Sequence, residues 1–292
     1  MIGPIFGSPC GEPILAVSRK DSIDSAQKAF QRDVCGRREG VPMGRIFIPT
    51  TSAEDWKRLL AEPEKHWRTG FSAKALAYCW EDADGFPPEI ARLFAESEFP
   101  SFQGIEPLLA FPEYQVSLPG GARPSQNDVF VLAKAREQLI AITVEGKVSE
   151  SFGPTLEEWG PSESPGKTER LAFLKEVLGL TSEIPPYIRY QLLHRTASAV
   201  LEAHRFSAPT AAMIVHSFRR ASEPGEDGFD DYQSFLRLFG VSATRNQLVF
   251  LRETQGVNLY CGWATGDPRY LEACDQCSKS GSSFLGDKGC GR

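Results

Sequence analysis

The strongest periodic signal in the chain lies between Asp128 and Val148, where two runs rich in β-branched residues meet across a short polar break. Residues 128–135 and 139–148 are separated by Arg136-Glu137-Gln138, the pattern of an antiparallel hairpin. Centring the turn on Arg136-Glu137 pairs Ala135 with Gln138. Counting outward then pairs Lys134 with Leu139, Leu132 with Ala141, Phe130 with Thr143 and Asp128 with Glu145. One face carries Val129, Val131, Ala133, Ile140, Ile142, Val144 and Val148 without a polar side chain, and it must be core.

The other elements arrange themselves around this hairpin. Before it, residues 45–49 read as a short edge strand, and Ser52 caps a helix through Trp56, Leu59 and Leu60. Ser72 caps a second helix over 73–80, and a third follows Pro87-Pro88 and buries Ile90, Leu93 and Phe94. Residues 108–118 form the first sheet strand, ended by Pro119-Gly120-Gly121. After the hairpin, 149–166 is a long loop, able to act as a lid over a site or as a passive insertion. A helix over 169–178 follows. A longer helix over 187–205 buries Ile188, Leu192, Thr196, Ala199 and Ala203 and turns Gln191, His194, Arg195 and Ser198 away from that face. Residues 211–218 are a continuous apolar run, as a strand buried on both faces requires. A helix over 230–239 and a hairpin of 247–253 with 258–263 complete the pattern. Residues 1–44, with one short helix over 22–32, form a poorly organised extension, 45–270 the main domain with an insertion at 149–185, and 271–292 a flexible Cys/Gly/Ser tail.

Composition adds bounds. The 292 residues, 41% hydrophobic and 24% charged, suit a globular chain with a sizeable core. The net charge of −6 offers no whole-molecule attraction to nucleic acid, so such binding requires a local basic patch. No apolar run is long enough for a membrane span and the N-terminus lacks a signal-peptide pattern, so the cytoplasm is the expected location and no membrane partner is expected. Seven cysteines, an odd and scattered set, point to reduced thiols.

The chemistry follows from the hairpin register. Asp128 and Glu145 face each other on the side opposite the apolar face, and Lys147 shares that side by the period of two. A partly buried carboxylate pair must share a proton or hold a cation, and a neighbouring ammonium favours the ionised state. Asp128 and Glu145 are therefore candidate ligands for Mg²⁺ or Mn²⁺, with Lys147 beside them, a set suited to phosphodiester hydrolysis. Glu113, on the strand before, is a third, weaker acid, with a solvated edge position as its alternative.

This arrangement resembles the PD-(D/E)XK nuclease superfamily. Asp128, preceded by Asn127 where that superfamily commonly has Pro, matches its first ligand, and Glu145-Gly146-Lys147 matches its E-x-K element. The runs LPGG, NDVFVL, VEGKV and FGPT also resemble, in order, a bacterial domain family within the superfamily, over about residues 45–270. The resemblance implies an α/β fold with a restriction-endonuclease-like α-β-β-β-α-β core, a central mixed sheet flanked by helices. It implies a carboxylate from a helix before the first strand, for which Glu89, Glu96 and Glu106 are available. It also implies polar groups from the helix after E-x-K, for which Gln191 and Arg195 stand. Two functions remain open: a Mg²⁺- or Mn²⁺-dependent nuclease acting on DNA or RNA, and a nuclease-like fold serving as an inactive binding or interaction module.

Competing motifs are weaker. Gly166-Lys167-Thr168 resembles the end of a phosphate-binding loop but has Pro161 where glycine is needed. Cys274-x-x-Cys277 with Cys261 and Cys290 supplies only one close pair for zinc. Asp82-Ala83-Asp84-Gly85 lacks the remaining ligands of a calcium loop and reads as a helix-ending turn. No Gly-x-Ser-x-Gly elbow or Cys-His pairing is visible among the dispersed histidines.

Overall fold

The computed structural model describes residues 50, 52–219 and 227–272. These belong to a compact unit, Gly44–Arg292, that is distinct from Met1–Met43. The expected edge strand over 45–49, the helix over 22–32 and Cys274, Cys277 and Cys290 lie outside the described residues.

The apolar alternation of the hairpin becomes strands β1 (Glu106–Val116), β2 (Ser125–Ala135) and β3 (Gln138–Lys147). The β2–β3 register pairs Ala135 with Gln138, Lys134 with Leu139, Leu132 with Ala141 and Phe130 with Thr143, and Arg136 takes the left-handed conformation that the tight turn requires. The ladder stops at Val129–Val144, one pair short of Asp128–Glu145. The amide of Gly146 donates instead to the Asp128 side chain, at 2.7 Å.

Further along, β4 (Thr210–Ser217), β5 (Leu248–Thr254) and β6 (Val257–Thr265) complete a six-stranded sheet in the order β1-β2-β3-β4-β6-β5. It is mixed: β4 runs parallel to both β3 and β6, whereas the β1–β2, β2–β3 and β5–β6 pairs are antiparallel. All eight residues of β4 are buried, which explains its unbroken apolar run.

Helices cover both faces. On one, α1 (Ser72–Asp82) and α2 (Pro88–Ala95) press Leu76, Ile90 and Phe94 onto Val129, Val131, Ile140, Ile142 and Ile214. On the other, α3 (Pro165–Val177), α4 (Tyr190–Arg205) and α5 (Phe229–Leu236) press Leu174, Leu192, Ala199 and Tyr232 onto Phe130, Ala141, Met213 and Val215. Each fully buried aliphatic side chain contributes about 1.5–3 kcal/mol. No helix among the described residues is long and apolar enough to cross a membrane.

Several local expectations change. Residues 53–59 form a 3₁₀ helix without a hydroxyl cap from Ser52. Pro63 keeps Glu62 out of the helical region and opens a separate α-helical turn, Pro63–His66, so the two short helices do not join. The 149–166 segment is not a bare loop. Thr155 and Glu158 close a capping box over the turn Leu156–Trp159, Phe152 is fully buried, and α3 begins at Pro165. Lys167 sits in that helix's first turn and donates to the Trp159 carbonyl at 2.7 Å, so the Gly-Lys-Thr run is not a phosphate loop. The helix α4 starts at Tyr190 because Arg189 bridges Thr155 and the Ile188 carbonyl accepts from Leu156. Asp82 ends α1 and accepts hydrogen bonds from Arg269 and Tyr270, as a helix-ending turn would.

Candidate functional site

The sheet order places β1, β2 and β3 side by side, and each contributes one carboxylate to the same cleft. Glu113 on β1 falls between the pairs Pro112–Val129 and Tyr114–Asn127, opposite Asp128 on β2. Glu145 and Lys147 arrive from β3. These four residues, with Gln126, Glu150, Gln191 and Arg195, line a cleft of about 430 Å³. Glu113 has φ of 51°, in the left-handed region rare for a residue with a side chain. Such backbone strain costs about 1–3 kcal/mol and concentrates at functional sites.

Two kinds of carboxylate share this cleft. The side chain of Glu145 is only 3% exposed, and both of its oxygens are engaged. Lys147 Nζ donates to Oε1 at 2.7 Å and Arg195 Nε donates to Oε2 at 2.6 Å. Burial alone would raise its pKa, but the two cations outweigh burial and hold the carboxyl below the ordinary range. Arg195 also donates to Ser125 Oγ at 3.3 Å, and Lys147 donates to Gln191 Oε1 at 3.1 Å while its ammonium lies 4.8 Å from the Phe152 ring centre.

Among the described residues, Asp128 and Glu113 have no cation bonded to them; Arg195 acts on both from a distance and the Gly146 amide donates to Asp128, and these do not outweigh burial. Burial, then the Glu145 charge, pushes Asp128 up to about 7. Burial, then Asp128, pushes Glu113 up to about 8, despite the Gln126 amide that donates to Glu113 at 2.6 Å. The unmet negative charge of the cleft therefore sits on the Glu113–Asp128 pair, where it calls for protons or a cation. A divalent ion fits this demand. The donors are all carboxylate oxygens, the preference of Mg²⁺ and Mn²⁺, with Asp128 and Glu113 as the charge-deficient ligands and Glu145 adjacent.

Glycine at position 146 has a local reason. A Cβ there would lie 3.3 Å from Asp128 Oδ2, 3.4 Å from Leu76 and 3.5 Å from Ser72, so a side chain would crowd both the acid and the start of α1. The wall is closed by Glu150, which accepts from the amides of Ser72 at 2.9 Å and Val148 at 2.8 Å. On the rim stand Lys65, His66 and Phe71. Behind Arg195, Ser125 Oγ is 2.8 Å from His194 Nδ1, and burial, then the Arg195 charge, keeps that imidazole well below its ordinary pKa.

The cleft thus brings together Asp128, Glu145, Lys147, Glu113, Gln191 and Arg195. Arg195 and Ser198 do not turn away from the buried side of α4: both are buried, and this helix packs polar groups against the sheet as well as apolar ones. The helical acids behave otherwise. Glu89 faces the opposite side of the sheet, where it meets His216; Glu96 lines a separate groove with Phe99 and Gln247; Glu106 is exposed at the start of β1. None of the three lines the cleft: α2 packs on the opposite face of the sheet, only the start of α1 reaches the cleft, and Glu106 stands at the far end of β1 from Glu113. Glu150 escaped the sequence reading, although a glutamate three residues beyond an E-x-K element was a visible signal.

The chain belongs to the family described as Domain of unknown function (DUF6946), whose model matches residues 49–268. No curated protein and no solved structure matches the chain.

Proposed function

For this member of the family, we propose that the cleft is the active centre of a metal-dependent phosphodiesterase acting on DNA or RNA, built on the restriction-endonuclease-like α-β-β-β-α-β core of the PD-(D/E)XK superfamily. One observation carries the reading: Asp128, Glu145 and Lys147 line one cleft beside a further acid, Glu113, which lies opposite Asp128. The element order supports the reading in part: α1 and α2 precede β1–β3, and α4 and β4 follow, with α3 as an additional helix between β3 and α4.

Asp128 and Glu113, with Glu145, would hold Mg²⁺ or Mn²⁺, which when bound polarises a phosphate oxygen and acidifies a water. The chain's own groups do the rest. Lys147, held between Glu145 and Gln191, orients the attacking water and offsets charge that develops on the phosphate. Arg195 keeps Glu145 ionised and fixes its direction. Lys65 and His66 on the rim meet the backbone of the substrate.

A second reading, a nuclease-like fold that serves as a binding or interaction module, draws support from Glu145, whose two oxygens are already engaged by Lys147 and Arg195. Melting of the wild type and Asp128→Ala, titrated with Mg²⁺ and Mn²⁺, separates the two when run beside cleavage assays on single- and double-stranded substrates. Metal stabilisation lost in Asp128→Ala, together with cleavage, is expected of the enzyme. Metal-independent melting with no cleavage would defeat it.

A further inference from the structure

On the sheet face opposite the cleft, three side chains of different chemistry meet. Cys79 comes from α1, Glu89 from the first turn of α2 and His216 from the end of β4. One ligand atom from each lies within 4.8 Å of the other two. His216 Nε2 is 2.7 Å from Glu89 Oε1, and Cys79 Sγ donates to the same oxygen at 3.4 Å. We propose that Cys79, Glu89 and His216 form a second metal site, selective for a borderline divalent cation of the zinc or cobalt class and separate in chemistry from the all-oxygen cleft.

Three observations support it. First, thiolate, imidazole and carboxylate form the donor set that zinc takes, whereas Mg²⁺ prefers oxygen alone. Bond lengths of about 2.0–2.3 Å to these donors place tetrahedral ligand atoms roughly 3.5 Å apart. The 3.4 Å sulfur–oxygen contact already has this spacing, and the 2.7 Å imidazole–carboxylate contact has only to open. Second, His216 is fully buried, and with Nε2 committed to Glu89 its Nδ1 has no hydrogen-bond partner. Nε2 is therefore the ring nitrogen turned to Glu89, on the side where Cys79 also lies. Third, Gly266 borders both aromatic rings: a Cβ there would stand 2.6 Å from Phe218 Cδ1 and 3.0 Å from His216 Nε2, so glycine leaves room for the Phe218 ring and keeps that nitrogen clear.

Binding exchanges a proton for the metal. The Cys79 S–H bond breaks, its proton passes to solvent, and the sulfur lone pair forms the metal bond; Glu89 supplies a lone pair, and the proton that His216 Nε2 holds against Glu89 moves to Nδ1, which frees the Nε2 lone pair. The complex of a dication with thiolate and carboxylate is neutral, which suits a buried position. Glu89, whose side chain is 11% exposed, leaves a route by which a water can complete the coordination. The bound ion would join α1 and α2 to the end of β4. In the sheet register His216 pairs with Gly146 and Ser217 with Lys147, so the site would brace the strand ends that carry the cleft residues.

Cobalt(II) provides the direct test, since a thiolate ligand gives an intense sulfur-to-cobalt charge-transfer band. The full-length chain with Cys10, Cys35, Cys274, Cys277 and Cys290 changed to serine removes the thiols outside the described residues. Titrated with cobalt chloride, this background should show the band at one equivalent and should melt higher with zinc. Adding Cys79→Ser should abolish the band, and Glu89→Gln or His216→Gln should each weaken cobalt binding about tenfold or more. Absence of the band in the background protein, or its survival in Cys79→Ser, would overturn the assignment. Should Cys79→Ser fail to fold, the two glutamine variants decide, and unchanged cobalt affinity in both refutes the site.

Discussion

The two faces of the sheet near the ends of β3 and β4 handle buried ionisable groups in different ways. On the cleft face, Glu145 keeps its charge through Arg195 and Lys147, while Glu113 and Asp128 are driven towards protonation. On the other face, Cys79 and His216 both meet Glu89 Oε1, at 3.4 Å and 2.7 Å, beneath α1 and α2, while His216 Nδ1 has no hydrogen-bond partner among the described residues. Strand alternation makes the two possible at once. Glu145 and Lys147 project one way, whereas Gly146 and its neighbour His216 belong to the opposite side. The contrast shows how one sheet can present a hard oxygen set on one side and a mixed sulfur, nitrogen and oxygen set on the other. Solvent access separates the two as well: the cleft is open, whereas on the other face Cys79 and His216 are buried and Glu89 is 11% exposed.

The comparison can be broken most severely at the cleft. Asp128→Ala should lower Mg²⁺-dependent phosphodiester cleavage by about a thousandfold or more and remove stabilisation by Mg²⁺, while the cobalt band of the opposite face survives. Lys147→Ala should lose comparable turnover but retain the Mg²⁺-induced rise in melting temperature. Single-turnover assays beside melting curves distinguish the two variants.

Stability separates the faces next. Glu145→Ala leaves Lys147 and Arg195 buried without their counter-charge, at an expected cost of about 3–5 kcal/mol. Glu89→Ala leaves an imidazole and a thiol unpaired, at about 1–3 kcal/mol. Urea unfolding of metal-free protein should reproduce this ranking, and equal losses would show that Glu145 is not a buried charge.

A pH scan sharpens the contrast further. The raised pKa values of Asp128 and Glu113 mean that the native state holds protons that the unfolded chain has released above about pH 4. Metal-free stability should therefore be full below the unfolded carboxyl pKa and fall as pH rises through about 7 to 8. The loss should be roughly 2–4 kcal/mol, the cleft's solvent tempering the larger value. Asp128→Asn should flatten this slope, and so should saturating Mg²⁺. The smallest effect belongs to Gly146→Ala. Its added methyl meets Asp128 Oδ2, Leu76 and Ser72 at 3.3–3.5 Å, which should cost about 1 kcal/mol and shift activity more than fold.

Much of this was open to local reading. The period-two alternation of residues 128–148 sufficed for the hairpin, its core face and its register up to Val129–Val144, though not for the expected Asp128–Glu145 pair, because side-chain direction in a strand follows from position alone. The apolar run of β4 announced a strand buried on both sides for the same reason. The grouping of Asp128, Glu145 and Lys147 needed no more than that register. Tertiary packing decided what depends on distant partners. Arg195 looked like one polar residue on a helix until α4 docked against β3 and delivered its guanidinium to Glu145. Glu113 acquired its place from the irregular backbone of β1 beside β2. Glu89 was drawn from the cleft to the opposite face by the side on which α2 packs, and Cys79 and His216, far apart in the chain, met there. Periodicity fixes which way a side chain points within its own element, while the identity of its neighbour is set by the docking of whole elements, a sum of many weak apolar contacts that no local pattern encodes.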